Sequence, residues 1–113
     1  MVNILVFRTD RIGDLLLTCP AILTLKKSFK NCNITLIGSE KNSTYAKSLN
    51  IFDQVLEFPR QNILKKIKFI KNLNNKKFDY IFIFDGKQRS ILSSFLINGV
   101  NKVALTPKVF FYY

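Results

Sequence analysis

A doubly wound parallel α/β sheet is predicted by three features of this chain. Short runs rich in Ile, Val and Phe alternate with longer segments of helical pattern. These runs are too continuously apolar for strands with one face in water, so helices are expected over both faces. The first run, Val2–Phe7, passes through RTDRIGD, Arg8 to Asp14, straight into LLLTCPAILTL, and parallel sheets build their ligand sites at such strand-to-helix crossings.

The first strand is expected over Asn3–Phe7 and the first helix over Asp14–Phe29. Leu15, Leu16, Ala21, Ile22, Leu25 and Phe29 can share a broad face of that helix against the sheet. Pro20 removes a backbone hydrogen bond, so the helix either kinks there or restarts with Pro20 in its first turn. Ile34–Ile37 reads as the second strand, Asn42–Ser48 as a helix, and Gln54–Phe58 as the third strand. In the helix expected over Asn62–Leu73, Lys65 and Lys68 share a side, while Ile63, Ile67 and Ile70 lie nearer the apolar one and Leu64 and Phe69 widen it. The Asn/Lys-rich stretch Asn72–Lys77 is the one disorder-prone segment. A strand over Tyr80–Phe84, a helix over Arg89–Ile97 and a strand over Lys102–Leu105 complete an alternating order whose crossovers should be right-handed.

At 113 residues the chain makes one domain. It closes on KVFFYY, large apolar side chains with no polar cap, a surface that natural domains rarely leave uncovered. The expectation is therefore a truncated reading frame. Eighteen Lys plus Arg against seven Asp plus Glu leave a formal charge of +11, which attracts phosphates, nucleic acid or an anionic membrane face. A coding sequence rich in A and T would enrich Lys, Asn, Ile and Phe with no partner involved. The two cysteines, Cys19 and Cys32, show no CxxC spacing and the chain has no His, which leaves no zinc-finger pattern and no Cys–His nucleophile pair, so no metal ligands are expected. Reduced thiols, no signal peptide and no apolar run near the roughly 20 residues of a membrane span fit a cytoplasmic protein.

Taken as residues alone, the RTDRIGD loop leaves two readings open. Asp14 suits a helix cap or first turn, where a carboxylate meets the positive end of the helix dipole. It also suits a cleft carboxylate, with Gly13 beside it to let the backbone turn tightly. Arg8, at a strand end, can meet carboxylates or phosphates bidentately, and Thr9 and Arg11 surround the same loop. Asp10 is a rival carboxylate that reads as a loop surface residue. A second crossing, Asp85 to Ser90 (DGKQRS), offers Gly86 for a tight turn and Lys87, Arg89 and Ser90 beside a helix start. The GxGxxG and GxxxxGK[ST] glycines that cradle phosphates are missing, which weighs against an ordinary Rossmann-like nucleotide binder. A basic nucleic-acid module would rest on net charge alone, since no helix-turn-helix or aromatic RNA-binding motif accompanies it.

ILVFRTDRIGDLLLTCPAI followed by ITLIGSEKN resembles the amino-terminal segment of family 9 glycosyltransferases, the ADP-heptose:lipopolysaccharide heptosyltransferases. In that family a strand ends in a basic residue and a short polar loop, closes with Gly-Asp and runs into an apolar helix carrying a Pro. The match is clear over about residues 3 to 58 and extends more loosely to about residue 105 through YIFIFDG and KQRS. The resemblance implies the Rossmann-like, acceptor-side half of a GT-B-type enzyme, without the second domain that binds the nucleotide-sugar. It implies that Asp14 is the catalytic base, and that Arg8, Thr9, Arg11, Gly13, Lys87, Arg89 and Ser90 lie on the acceptor or phosphate side. It implies ADP-heptose as a donor substrate with no cofactor, a lipopolysaccharide core acceptor, and peripheral contact with an anionic inner membrane. It also implies no specific nucleic acid, and no transfer by this half alone.

Overall fold

A computed structural model describes residues 1–59, 62–74, 77–85, 90, 97, 99–105 and 110–112. Its elements are β1 (Val2–Arg8), α1 (Ile12–Ser28), β2 (Cys32–Gly38), α2 (Ser43–Leu49), β3 (Gln54–Glu57), α3 (Ile63–Asn74), β4 (Phe78–Ile83), β5 (Gly99–Leu105) and β6 (Phe110–Tyr112). They form a six-stranded sheet in the order β3-β2-β1-β4-β5-β6. The pairs β3–β2, β2–β1, β1–β4 and β4–β5 are parallel, and β6 runs antiparallel to β5. The strand order therefore reverses between β1 and β4, and ligands bind doubly wound sheets beyond the carboxyl ends of such a pair.

Side chains alternate across a strand, which divides the core in two. Leu5 and Phe7 of β1 join Ile37, Ile81 and Ile83 beneath Phe69, Ile70 and Leu73 of α3. Ile4 and Val6 join Ile34 and Leu36 beneath Leu15 and Ile22 of α1 and Ala46 of α2. With both of its faces covered, β1 reads as a continuous apolar run, as the sequence predicts. Each such fully buried Leu, Ile or Phe side chain contributes about 1.5–3 kcal/mol of transfer free energy.

Several expectations need correction. Helix α1 continues through Pro20 without restarting. Leu16 lies outside the core: α1 turns Leu15, Thr18 and Ile22 inward and leaves Ile12, Leu16, Leu17 and Leu23 at 39, 43, 79 and 47% exposure. The helix is apolar on nearly every side, so its sequence pattern cannot choose the buried face. Strand β4 begins at Phe78, ahead of the expected Tyr80, because Asp79 is used structurally: its Oδ2 accepts the Asn3 backbone N–H at 2.8 Å. The Asn72–Lys77 stretch is helical through Asn74. One strand was not expected: Phe110–Tyr112 pairs antiparallel with β5 at the edge of the otherwise parallel sheet. The helix expected over Arg89–Ile97 lies outside the described residues except for Ser90 and Ile97, both buried.

A row of rings links α1 to the carboxyl end of the sheet. Phe29 meets Tyr80 at 5.1 Å between centroids, and Tyr80, Phe82 and Phe84 stack at 6.0 Å intervals along β4 and just past it. The row ends at Phe84, whose backbone N–H donates to the Phe7 carbonyl at 3.0 Å. This bond keeps β4 against β1 one residue beyond the strand. Among the described residues no helix is long and apolar enough to cross a membrane.

Candidate functional site

Residues Arg8 to Asp14 leave β1 at the reversal point and enter α1. Arg8 is the centre of the group. Its Nη1 donates to the Phe84 carbonyl, its Nη2 lies 3.4 Å from Asp14 Oδ1, and its Nε lies 3.1 Å from Asp10 Oδ1. The last two atoms are buried and close but not aligned as a hydrogen bond, so their attraction is that of an ion pair. The Arg8 side chain is 11% exposed and spans the loops after β1 and β4. A planar guanidinium with several fixed N–H groups suits such a junction; a lysine would not.

Asp14 is the third residue of α1. Arg11 holds the N-cap position with no side-chain cap bond, and the Asp14 carboxylate finds its described partners in two guanidinium groups, Arg8 and, at 3.7 Å, Arg11. Asp14 thus stands in the first turn of α1, at the positive end of the helix dipole, with its carboxylate held by guanidinium groups. Its side chain is 30% exposed and that of Arg11 83%. Together with Gly13 and Leu17 these residues line an open depression of about 480 Å³. Gly13 has no atom within 4 Å of where a Cβ would stand and sits in a regular helical turn. Its glycine is thus not required by a tight turn; what the absent side chain leaves is open space beside Asp14.

Thr9 and Ser90 serve the scaffold. The Thr9 backbone N–H and hydroxyl donate to Asp85 Oδ2 at 3.1 and 2.6 Å, and the Ser90 hydroxyl donates to the same oxygen at 2.8 Å. Thr9 and Ser90 are 2 and 0% exposed. Asp85 therefore ties the β1 loop to the start of the segment after β4. Lys87 and Arg89, with Gly86, lie outside the described residues.

Two residues that sequence reasoning passed over hold the loop from the other side. Asn42 is fully buried; its Nδ2 donates to the carbonyls of Arg8 at 2.8 Å and Asp10 at 3.1 Å, while its Oδ1 accepts the Ser39 N–H at 2.8 Å. The Ser39 hydroxyl donates to the Asp10 carbonyl at 2.8 Å. A Ser and an Asn three residues apart just after a strand are frequent makers of local turns, which was the one available signal. A Cβ at Gly38 would stand 2.4 Å from Asn42 Oδ1, so this glycine, rather than Gly13, is the one sterically demanded.

Asp10 is not a surface loop residue. Burial lifts its carboxyl above the ordinary 3.8, Arg8 opposes the lift, and the charges of Asp14 and then Asp85 add to it. A carboxyl raised by folding stabilises the fold fully below its unfolded value and loses that contribution as pH rises through the folded one. Asp10→Asn is therefore expected to gain urea resistance over the parent as pH rises from about 3.8 toward neutrality. A parent that instead gains on the variant would show that the Arg8 pair outweighs burial. Burial also raises the Cys19 thiol, whose Sγ donates to the Leu15 carbonyl at 3.5 Å, and so lowers its reactivity. Among the described residues no group of Cys, Asp and Glu is assembled as a metal-binding set.

No protein-family model and no curated protein sequence matches the chain. Solved structures do. A family 9 glycosyltransferase from Veillonella parvula superposes with a TM-score of 0.75 at 18% identity, covering 89% of this chain and 31% of its own. The E. coli heptosyltransferase WaaC, solved with ADP, superposes with a TM-score of 0.73 at 19% identity, covering 92% of this chain and 34% of its own. At such identities the likeness establishes the fold: over a segment about a third of the length of these neighbours, this chain shares the Rossmann-like α/β fold of the two glycosyltransferases.

Proposed function

We infer that the chain is the amino-terminal, acceptor-side part of a glycosyltransferase that moves a heptose, or a related sugar, from a nucleotide-sugar to a lipopolysaccharide core acceptor. The observation that carries this is Asp14: a carboxylate at the reversal point of the sheet, gripped by Arg8 and Arg11 and reachable from an open depression. The ADP in the E. coli neighbour supports a nucleotide-sugar as donor, with ADP-heptose the first candidate and no cofactor beyond it. The donor-binding part would lie outside these 113 residues.

The chemistry balances with few groups. Asp14 takes the proton of an acceptor hydroxyl as its oxygen bonds to the anomeric carbon, and the bond from that carbon to the diphosphate breaks with its electrons leaving on the nucleotide. Arg8 positions Asp14 and fixes the two loops. Arg11, exposed at the rim, meets anionic groups of the acceptor; Lys87 and Arg89 are acceptor-side candidates through the resemblance alone. The reaction would take place on the cytoplasmic side, where nucleotide-sugars are made.

Because the chain spans about a third of its neighbours' length, it alone is expected to transfer no sugar from ADP-heptose to a heptose-deficient core. Joined to a donor-binding domain taken from a family 9 relative, it should give a product heavier by one heptose in a mass spectrum. Transfer by the isolated chain would overturn the two-part reading, and an inert but folded, donor-binding fusion would overturn the assignment.

A further inference from the structure

Asp10 stands at the reversal point against the interest of the fold. Its carbonyl accepts the Ser39 hydroxyl at 2.8 Å and Asn42 Nδ2 at 3.1 Å, so the backbone is pinned from the β2 side. The side chain, 18% exposed, is brought against Arg8. Burial disfavours its ionised form most, Arg8 opposes that, and the charges of Asp14 and then Asp85 add to the disfavour. A neutral group of the same shape would suit the fold better near neutral pH, so packing does not account for a carboxylate here. Residues that break local rules in this way gather at functional sites.

The geometry of Arg8 shows what the carboxylate does. Nη1 is tied to the Phe84 carbonyl. The remaining edge of the guanidinium carries Nε–H and an Nη2–H side by side, the fork that in a bidentate pair closes on both oxygens of one carboxylate. Here the fork is divided: Nε faces Asp10 Oδ1 at 3.1 Å, and Nη2 faces Asp14 Oδ1 at 3.4 Å. Arg11 approaches the other Asp14 oxygen at 3.7 Å. Both distances at Asp14 exceed the roughly 2.7–2.9 Å of a charge-assisted hydrogen bond. Asp14 is thus oriented without being clamped. A carboxylate clamped by a guanidinium fork holds its charge more firmly and is the poorer proton acceptor.

We propose that Asp10 is a positioning residue for sugar transfer: by occupying the Nε side of Arg8 it keeps the guanidinium fork from closing on Asp14, and so leaves that carboxylate able to take the acceptor's proton. Asp10 acts through Arg8 and touches no substrate. The inference rests on the reading of Asp14 as the base.

Asp10→Asn removes the charge and keeps the shape, and its fold should be at least as stable as the parent's near neutral pH. In an enzyme completed by a donor-binding domain, its turnover near neutral pH should fall about ten-fold, with the Michaelis constant for the acceptor little changed. The acid limb of the turnover profile should move to lower pH, because a clamped Asp14 stays ionised further down. A merely structural role for Asp10 would lower the rate alike at every pH; that result, or unchanged turnover, overturns the proposal. The 113-residue chain gives a readout that needs no transfer. By NMR, the Arg8 Nη2 protons should exchange with water more slowly in Asp10→Asn than in the parent, and the difference should vanish when Asp14→Asn is added. Equal exchange in the parent and Asp10→Asn overturns the proposal whether or not the completed enzyme transfers sugar. Slower exchange beside an inert completed parent enzyme would keep Asp10 as the residue that divides the fork and overturn the sugar-transfer reading instead.

Discussion

Asp14→Asn in an enzyme completed by a donor-binding domain is expected to lower turnover by about 100- to 10,000-fold, the range over which a positioned general base acts. Asparagine keeps the shape of the side chain and can still receive an N–H from Arg8 or Arg11, so the depression and the helix start should persist. What it loses is the ability to take the acceptor's proton. The Michaelis constant for the acceptor should therefore move far less than turnover, and the fold should remain intact by urea titration, because the side chain is 30% exposed and caps nothing. A loss carried wholly in the Michaelis constant would make Asp14 a binding group, and near-normal turnover would make it a structural partner of Arg8.

The second large effect is expected at Asn42, which touches no part of the depression. Asn42→Ala removes the donor to the Arg8 and Asp10 carbonyls and the acceptor of the Ser39 N–H, all in a region closed to water. Leaving such groups unpaired should destabilise the fold by about 2–4 kcal/mol. Gly38→Ala should reach a similar loss by another route, since its Cβ would occupy the position of Asn42 Oδ1 at 2.4 Å and drive the amide out. Because both changes remove one clamp, the double variant should be little worse than either single variant. Urea unfolding of the three variants checks this, and additive losses would show that Gly38 and Asn42 act separately.

The sheet was legible because β1 and β2 are buried on both faces and leave uninterrupted apolar runs, and because α1, α2 and α3 separate the first four strands. Strand starts were less so: Asp79 breaks the apolar pattern of β4 while its carboxylate serves the Asn3 backbone. The buried face of α1 was hidden because Leu16 and Leu17 are as apolar as Leu15, and only the position of the sheet selects among them. The antiparallel turn of β6 onto β5 leaves no mark in a run of aromatic residues that suits a strand in either direction.

At the site, the sequence shows Asp14, Arg8 and Arg11 through their place in one short loop. It does not show Asn42, Ser39 or the role of Asp85, whose bonds close across 29 to 76 residues of chain. Local pattern can name the residues at a crossing; which of them face solvent and which are spent on holding the loops is decided by the meeting of β1, β2 and β4. Thr9 and Ser90 fall in the second class, and Arg11 and Asp14 in the first.

The most direct test of the account is an amide NMR titration of this 113-residue chain with a phosphorylated inner-core oligosaccharide and, separately, with ADP. The oligosaccharide is expected to shift the amides from Thr9 to Leu17, and ADP is expected to leave them in place. Shifts of the same amides by ADP, with none from the oligosaccharide, would contradict the account and make the reversal point of this sheet a nucleotide site.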